Sequence, residues 1–422
     1  MKSLKENVLA QLSLAKQASR QMALLGRAEK DKALTEIGKK LLADTKIILA
    51  ANEQDIAKAE ADGQPASYLD RLRLTPARMT DLADSLTSLA ALDDPVGQQI
   101  DSWTRPNGLV IEQVRVPLGV IGMVYEARPN VTVDAAAIAL KTGNAIVLRG
   151  SHSAVHSNLA LVRSIREALA VAGLPQEAVQ YLPFAEHESV DVLCTANGLV
   201  DVIIPRGGAG LIQRVLKLAS VPVLETGVGN CHIYVDQAAR YDMAEAIAVN
   251  AKTSRPAVCN AAETLLIHAS WAHDSQRSLL QKLLAAGVEL RVCEKTRAVH
   301  HDLADLLVSA EPTDWDTEYS DLVLAVRTVD SLAEAIEHIA THTTGHSEAI
   351  VTEDLEAARH FLASVDATAV YHNASTRFTD GGEFGFGAEI GISTQKLHAR
   401  GPMGLPALTS YKYVVRGTGQ IR

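Results

Sequence analysis

Gly119-Val120-Ile121-Gly122-Met123-Val124-Tyr125 is the stretch that decides the fold, because it reads as a buried-type strand. Outward from it, strand and helix patterns alternate. Residues 133–141 read as a helix stopped by Gly143-Asn144, and Ala145-Ile146-Val147-Leu148-Arg149 reads as the next strand. Residues 153–171 form an amphipathic helix pattern (Val155, Leu159, Val162, Leu169) closed by Gly173 and Pro175. Val200-Asp201-Val202-Ile203-Ile204 reads as a strand and 210–219 as a helix with Leu211, Val215 and Leu218 on one face. Val221-Pro222-Val223-Leu224 reads as a short strand. This rhythm predicts βαβ units, hence a mostly parallel sheet covered by helices. A second α/β block follows Gly229, with strands at 232–235, 264–268, 322–326 and 349–351 and helices at 241–252, 275–286 and 331–340. The fold class is α/β, in two α/β domains.

Residues 1–92 read as helical, beginning with Leu4, Val8, Leu12 and Ala15 on one face and continuing through 28–61 and 76–92. Asp93-Asp94-Pro95 breaks that pattern. Residues 109–116 alternate like a strand behind the turn Pro106-Asn107-Gly108, partly polar on both faces, which suits a projecting or intersubunit arm. From Thr379 the chain turns glycine-rich (Gly381, Gly382, Gly385, Gly387, Gly391) and ends in the strand pattern Tyr411-Lys412-Tyr413-Val414-Val415-Arg416.

Composition narrows the function. The 422 residues are 47% hydrophobic and 21% charged, an ordinary globular balance long enough to build a core without disulfides or a structural metal. A net charge of −10 argues against a nucleic-acid backbone or an anionic membrane as the main partner. Neither an 18-residue apolar run nor a signal-peptide pattern is found, so a cytoplasmic protein is expected. Four cysteines without CxxC or zinc-finger spacing fit a reducing compartment and no metal site.

Three places could carry chemistry. In Arg255-Pro256-Ala257-Val258-Cys259-Asn260-Ala261-Ala262-Glu263, a Pro-bearing loop sets Cys259 beside Arg255 and Lys252, and nearby cations raise a thiolate fraction. A buried structural cysteine is the competing reading, and it suits Cys194, Cys231 and Cys293 better. Pro205-Arg206-Gly207-Gly208-Ala209-Gly210 follows a strand and opens a helix, where exposed amides favour an anion; an ordinary glycine turn would look the same. Leu224-Glu225-Thr226-Gly227-Val228-Gly229-Asn230-Cys231 joins the two α/β blocks and is either a catalytic carboxylate or a plain linker. His338, His342 and His346 recur at helical spacing, but Gly345 should end that helix and no H-E-x-x-H accompanies them, so a solvated helix end is expected.

Taken together the motifs resemble the aldehyde dehydrogenase superfamily, and within it the branch that reduces γ-glutamyl phosphate. They are Val116-Pro117-Leu118-Gly119-Val120-Ile121-Gly122, Tyr125-Glu126-Ala127-Arg128-Pro129-Asn130, Lys141-Thr142-Gly143-Asn144, Arg149-Gly150-Ser151, Glu225-Thr226-Gly227, Arg255-Pro256 with Cys259-Asn260, Gly345-His346-Ser347-Glu348-Ala349-Ile350, His372-Asn373-Ala374-Ser375-Thr376-Arg377-Phe378-Thr379-Asp380-Gly381 and GEFGFGAEIGIS. The similarity spans nearly the whole chain. It implies a cofactor-binding domain over 1–228 with an arm strand near 105–117, a catalytic domain over 229–395, and a return and oligomerisation strand over 396–422.

The resemblance also implies residue roles. It makes Cys259 the nucleophile and Glu225, 34 positions earlier, the base. Arg149 takes the place of a ribose-contacting lysine, with Ser151, Arg206, Gly207, Gly208, Thr226 and Gly227 completing the cofactor site. Arg128, Arg255, Asn260 and Asn373 are the implied substrate-binding residues. The superfamily's oxyanion asparagine has no clean match: ungapped spacing lands on Glu126, and Asn130 is the nearest amide. Where NAD-preferring members often carry a carboxylate, this chain has His152, so NADPH is the expected cofactor. The implied reaction is NADPH-dependent reduction of L-glutamate 5-phosphate through a Cys thioester, the second step of proline biosynthesis, with the substrate handed over by glutamate 5-kinase. A homo-oligomer is expected. An oxidative semialdehyde dehydrogenase, a redox-free Cys acyltransferase and a non-catalytic scaffold are the competing functions.

Overall fold

A computed structural model describes residues 3–422 and divides the chain into two compact units. The first comprises the chain up to Thr226 together with Gly385–Gly391 and Met403–Arg422. The second comprises Gly227–Phe384 and Ile392–Pro402. The expected division at 228/229 is thus displaced by two residues. The return segment also splits differently from the expected 229–395 and 396–422: Gly385–Gly391 belongs with the first unit and Ile392–Pro402 with the second. Part of the reason is Gly391, at φ 153°, where a Cβ would stand 2.6 Å from Arg206 and 2.8 Å from Thr226.

The first unit opens with five helices: Leu4–Met22, Arg27–Ala43, Thr45–Ala61, Ala66–Leu72 and Pro76–Ala91. The first is launched by a capping box in which the Ser3 and Glu6 side chains each take the other's backbone N–H, and it buries Val8, Leu12 and Ala15 as the spacing predicts. A four-stranded parallel sheet follows, in the order Val179–Tyr181, Ala145–Arg149, Val120–Tyr125, Val202–Arg206. Every residue of Val120–Tyr125 and Ala145–Arg149 is buried, which is why both read as continuous apolar runs rather than alternating ones. The first strand of the sheet in chain order has the second on one side and the last on the other. That makes the carboxyl ends of Val120–Tyr125 and Val202–Arg206 a topological switch point, where open α/β sheets bind ligands.

The predicted strand at 221–224 is reduced to one bridge, Ile203 to Val223. Pro222 has no N–H to continue a ladder. The arm is larger than expected: Gln99–Thr104, Val110–Pro117 and Thr409–Arg416 form an antiparallel sheet with Val110–Pro117 in the middle. Gln99–Thr104 escapes a hydrophobicity pattern because all six of its residues are exposed.

The second unit is built on a seven-stranded, fully parallel sheet in the order Val308–Ser309, Glu289–Val292, Val323–Val329, Ala262–His268, Cys231–Val235, Ser347–Val351, Ala369–His372. Helices Tyr241–Thr253, His273–Ala285 and Leu332–His342 match the predicted ones to within two residues. Ile233, Val235, Leu265 and Ile267 meet Leu279, Leu280 and Leu283 in one apolar cluster. No helix among the described residues is long and apolar enough to cross a membrane.

Candidate active site

At the switch point of the first unit lies a cavity of about 470 Å³ whose lining includes Tyr125, Glu126, Arg128, Arg149 and Ser151, together with Tyr68 and Arg71 from the helical region. Arg149 ends its strand and is 8% exposed. Its guanidinium donates to the Gly150 and Ala185 carbonyls at 3.3 Å each, and burial lowers its pKa. Ser151 caps the short turn His152–Ala154 by accepting from the Ser153 N–H.

Gly207 and Gly208 connect Val202–Arg206 to helix Ala209–Leu218. The Glu126 carboxylate accepts from the Gly208 N–H at 2.5 Å, and a Cβ on Gly207 would stand 2.6 Å from Glu126. The amide at this helix N-terminus thus favours an anionic oxygen, and the Glu126 carboxylate is the one that occupies it. Thr226 donates to the Pro205 carbonyl at 2.7 Å. Asn130 donates to Asp134 one helical turn on, and burial pushes the Asp134 carboxyl up to about 6.

In the second unit, the segment between helix Tyr241–Thr253 and strand Ala262–His268 carries Cys259, which is half-buried. It precedes the amino end of its strand, beside Cys231 at the amino end of the next one. The Cys231 thiol donates to the Cys259 carbonyl at 3.3 Å. Gly227 leaves no room for a side chain: a Cβ there would stand 2.4 Å from Thr394. Asn260 is 4% exposed and fully engaged, donating to the carbonyls of Arg377 and Thr379 while its own side-chain oxygen accepts from the Arg377 guanidinium. Arg255 is exposed.

Below this loop, Lys252 and Glu263 form an ion pair at 2.6 Å with both side chains sealed from solvent. Burial lowers the Lys252 pKa and pushes Glu263 up to about 7 against the pull of the lysine. Burial, the largest cause in each, pushes Cys194 up to about 11 and Cys231 well above the usual thiol range. Cys293 caps a helix, accepting from the Thr296 N–H.

The chain matches the family model described as the aldehyde dehydrogenase family over residues 2–299 and 312–413. The chain belongs to the aldehyde dehydrogenase family. Within it, the γ-glutamyl phosphate reductase of Halalkalibacterium halodurans is 56% identical over 97% of both chains. That of Moorella thermoacetica is 56% identical over the same shares. A crystal structure of γ-glutamyl phosphate reductase from Thermotoga maritima superposes with a TM-score of 0.96 at 47% identity, covering 98% of this chain and 99% of that one. An acetylating aldehyde dehydrogenase from Geobacillus thermoglucosidasius shares the fold at 17% identity and a TM-score of 0.69.

This aldehyde dehydrogenase gathers Arg149, Ser151, Glu126 and Arg128 around one cavity, and carries Arg206, Gly207 and Gly208 at the same strand ends. Cys259, Asn260 and Arg255 share one loop, and Asn373 does not join them. Asn373 follows the carboxyl end of Ala369–His372, at φ 57°, with its amide spent on the backbone N–H and carbonyl of Thr352. In a parallel sheet that is the edge opposite the one Cys259 precedes. Lys252, expected to assist the thiol, is instead neutralised by Glu263. Glu225 is half-buried at the end of the first unit.

His338 and His342 do adjoin, with ring centroids 4.6 Å apart, but His338 is 5% exposed rather than solvated. His342 ends the helix four residues before His346. No group of three or more metal-ligating side chains is arranged to hold a metal among the described residues. Two residues carry more than sequence reasoning assigned them. Glu126 gave no signal beyond its place in a motif, and neither did Arg377.

Proposed function

We propose that this protein reduces L-glutamate 5-phosphate to L-glutamate 5-semialdehyde and phosphate with NADPH, the second step of proline biosynthesis from glutamate. The observation that carries the reading is 56% identity to γ-glutamyl phosphate reductases along 97% of both chains. Of the two half-buried thiols, only Cys259 lies in a loop that also carries an arginine, Arg255. Its thiolate attacks the γ-carbonyl of the acyl phosphate and expels phosphate, leaving a thioester on Cys259. NADPH, when bound, supplies the hydride that takes this thioester to a thiohemiacetal. Collapse of the thiohemiacetal releases the semialdehyde and restores the thiolate. The backbone N–H of Cys259 or Asn260 is placed on the chain to hold the oxyanion, and Asn130 is the side-chain candidate. Glu225 has no water to activate in the reductive direction, so its proposed task is to move the thiol proton. Arg255 suits either anion of the substrate, because a guanidinium fork matches carboxylate and phosphate alike.

The cofactor reading rests on the cavity that Arg149 and Ser151 line, with two further arginines, Arg71 and Arg128, and one carboxylate, Glu126, which the Gly208 N–H already holds. Such a wall favours a 2′-phosphate over a bare hydroxyl. Self-association through the arm is part of the same proposal, supported by the exposed Trp103, Tyr411, Tyr413 and Val415 on its outer strands. The substrate must come from a kinase acting on the γ-carboxylate of glutamate, the glutamate 5-kinase reaction, in the cytoplasm.

The test follows NADPH consumption with glutamyl phosphate. Cys259→Ser is expected to lose activity by a factor of about 10⁴ or more, since the covalent route disappears. Run backwards, NADP reduction by the semialdehyde should require phosphate. Oxidation that proceeds in phosphate-free buffer would identify a hydrolytic dehydrogenase instead.

A further inference from the structure

Arg377 has no role in the mechanism so far, yet the structure ties it to the nucleophile loop from both ends. The segment after strand Ala369–His372 makes a short turn, Thr376–Phe378, and folds back onto that loop. Thr376 donates to the Asn260 carbonyl at 2.7 Å, while Asn260 Nδ2 holds the carbonyls of Arg377 at 3.2 Å and Thr379 at 2.9 Å. The Arg377 guanidinium then donates to Asn260 Oδ1 and, through Nε, to Ser254 Oγ at 3.1 Å. Ser254 and Asn260 bracket Arg255–Cys259. One guanidinium therefore fixes both ends of the five residues that present the sulfur.

Its hydrogen bond to Asn260, the residue next to Cys259, also brings a positive charge to the sulfur's end of the loop. Burial lowers the Arg377 pKa, Arg255 repels it, and Asp380 and the Cys259 thiol favour its charged form. An arginine stays protonated at any working pH even so. Arg255 is a second cation on the same loop, but it is exposed, where solvent screens its charge. Lys252 and Glu263 cancel as a pair, Cys231 is a neutral buried thiol, and His346 is held neutral by burial, down to about 4. Glu348, next on from His346 and Ser347, is tied to the His232 N–H and ring. Asp380 faces the arginines.

We propose that Arg377 positions the Cys259 loop and supplies the fixed positive charge that keeps the Cys259 sulfur ionised for attack. This rests on Cys259 being the nucleophile but not on the substrate or cofactor assigned above. Arg377 is a positioning residue: it acts through the thiol and through Asn260, not on the substrate.

Alkylation by iodoacetamide tests it on the full-length protein without substrate or nicotinamide, so the result is separable from any failure of the reductase reading. The rate of modification at the Cys259 peptide is followed by mass spectrometry across pH. Arg377→Gln is expected to raise the midpoint of that profile by about one pH unit, making alkylation about tenfold slower below the midpoint. Arg377→Lys, which keeps the charge without the fork, should stay within a few tenths of wild type in midpoint. At saturating pH its alkylation rate should still differ from that of wild type, as the loop slackens. A wild-type profile in a cooperatively folded Arg377→Gln overturns the proposal, as does a shift in Arg377→Lys as large as in Arg377→Gln. Should Arg377→Gln fail to fold, wild-type protein decides. Raising salt to about 1 M, where the screening length is about 3 Å, should move the wild-type midpoint upward, and an unmoved midpoint overturns the charge argument.

Discussion

A single added carbon at Gly229 would stand 1.5 Å from the Cys259 carbonyl oxygen and 2.8 Å from its Cα. Both are backbone atoms, so neither can swing aside. Gly229→Ala should therefore displace the nucleophile loop, and kcat/KM should fall by about 100-fold or more, since misplacing a reacting group by an ångström has that effect. Steady-state kinetics beside thermal unfolding would check it, and an alanine variant with wild-type turnover would show that the loop does not need this contact. At the cavity proposed to hold the cofactor, Arg149→Ala should raise KM for NADPH at least tenfold while changing KM for NADH less. Equal effects on both would remove the 2′-phosphate from the account. At this scale Cys259 was legible, because a thiol in an irregular loop beside an arginine stands apart from thiols in apolar elements. Gly229 and Arg377 were not. One read as part of a linker and the other only as a member of a motif, and their meaning depends on atoms 30 and 118 positions away in the chain.

Elements explain how the loop is kept in place. Helix Tyr241–Thr253 ends near Lys252 and strand Ala262–His268 begins near Glu263, so their sealed ion pair closes the base of the segment between them. Lys252→Met would leave the Glu263 carboxyl buried beside an apolar side chain, and a loss of about 3–5 kcal/mol is expected in urea unfolding. The double change Lys252→Met with Glu263→Leu should recover most of it, because no polar group is then stranded. A double variant as unstable as the single would show that the pair is a net stabiliser. The strands that bear this loop and the cofactor cradle were legible as apolar runs, since parallel strands are buried on both faces. Gln99–Thr104 was not, being exposed throughout, and Val179–Tyr181 is too short to show a period.

Over the whole molecule, burial of ionisable groups makes stability depend on pH. His338 is pushed down to about 2 and His346 to about 4, both by burial. The unfolded chain takes up these protons near pH 6.5, before the folded chain does. Their contribution is therefore complete above about 6.5 and is lost as the pH falls toward the folded values. Asp134, raised to about 6, and Glu263, raised to about 7, run the other way: the folded state holds their protons longer, so their contribution shrinks as pH rises through those values. The opposing slopes make a difference between variants the clean readout. His338→Phe should lose about 2 kcal/mol less than wild type on going from pH 7 to pH 5, measured by urea unfolding at each pH. Identical losses would mean that His338 takes its proton without unfolding.

By itself the sequence determined the α/β class, the order of most strands and helices, the family and which cysteine stands as the candidate nucleophile. Each of these is written in local periodicity or in short motifs. Tertiary structure alone decided that Asn373 lies at the strand edge away from Cys259, that Lys252 is cancelled by Glu263, that Glu126 occupies a helix amide, and that Arg377 spans the nucleophile loop. Those facts are distances between residues remote in the chain, and such distances exist only once the sheets have brought the residues together.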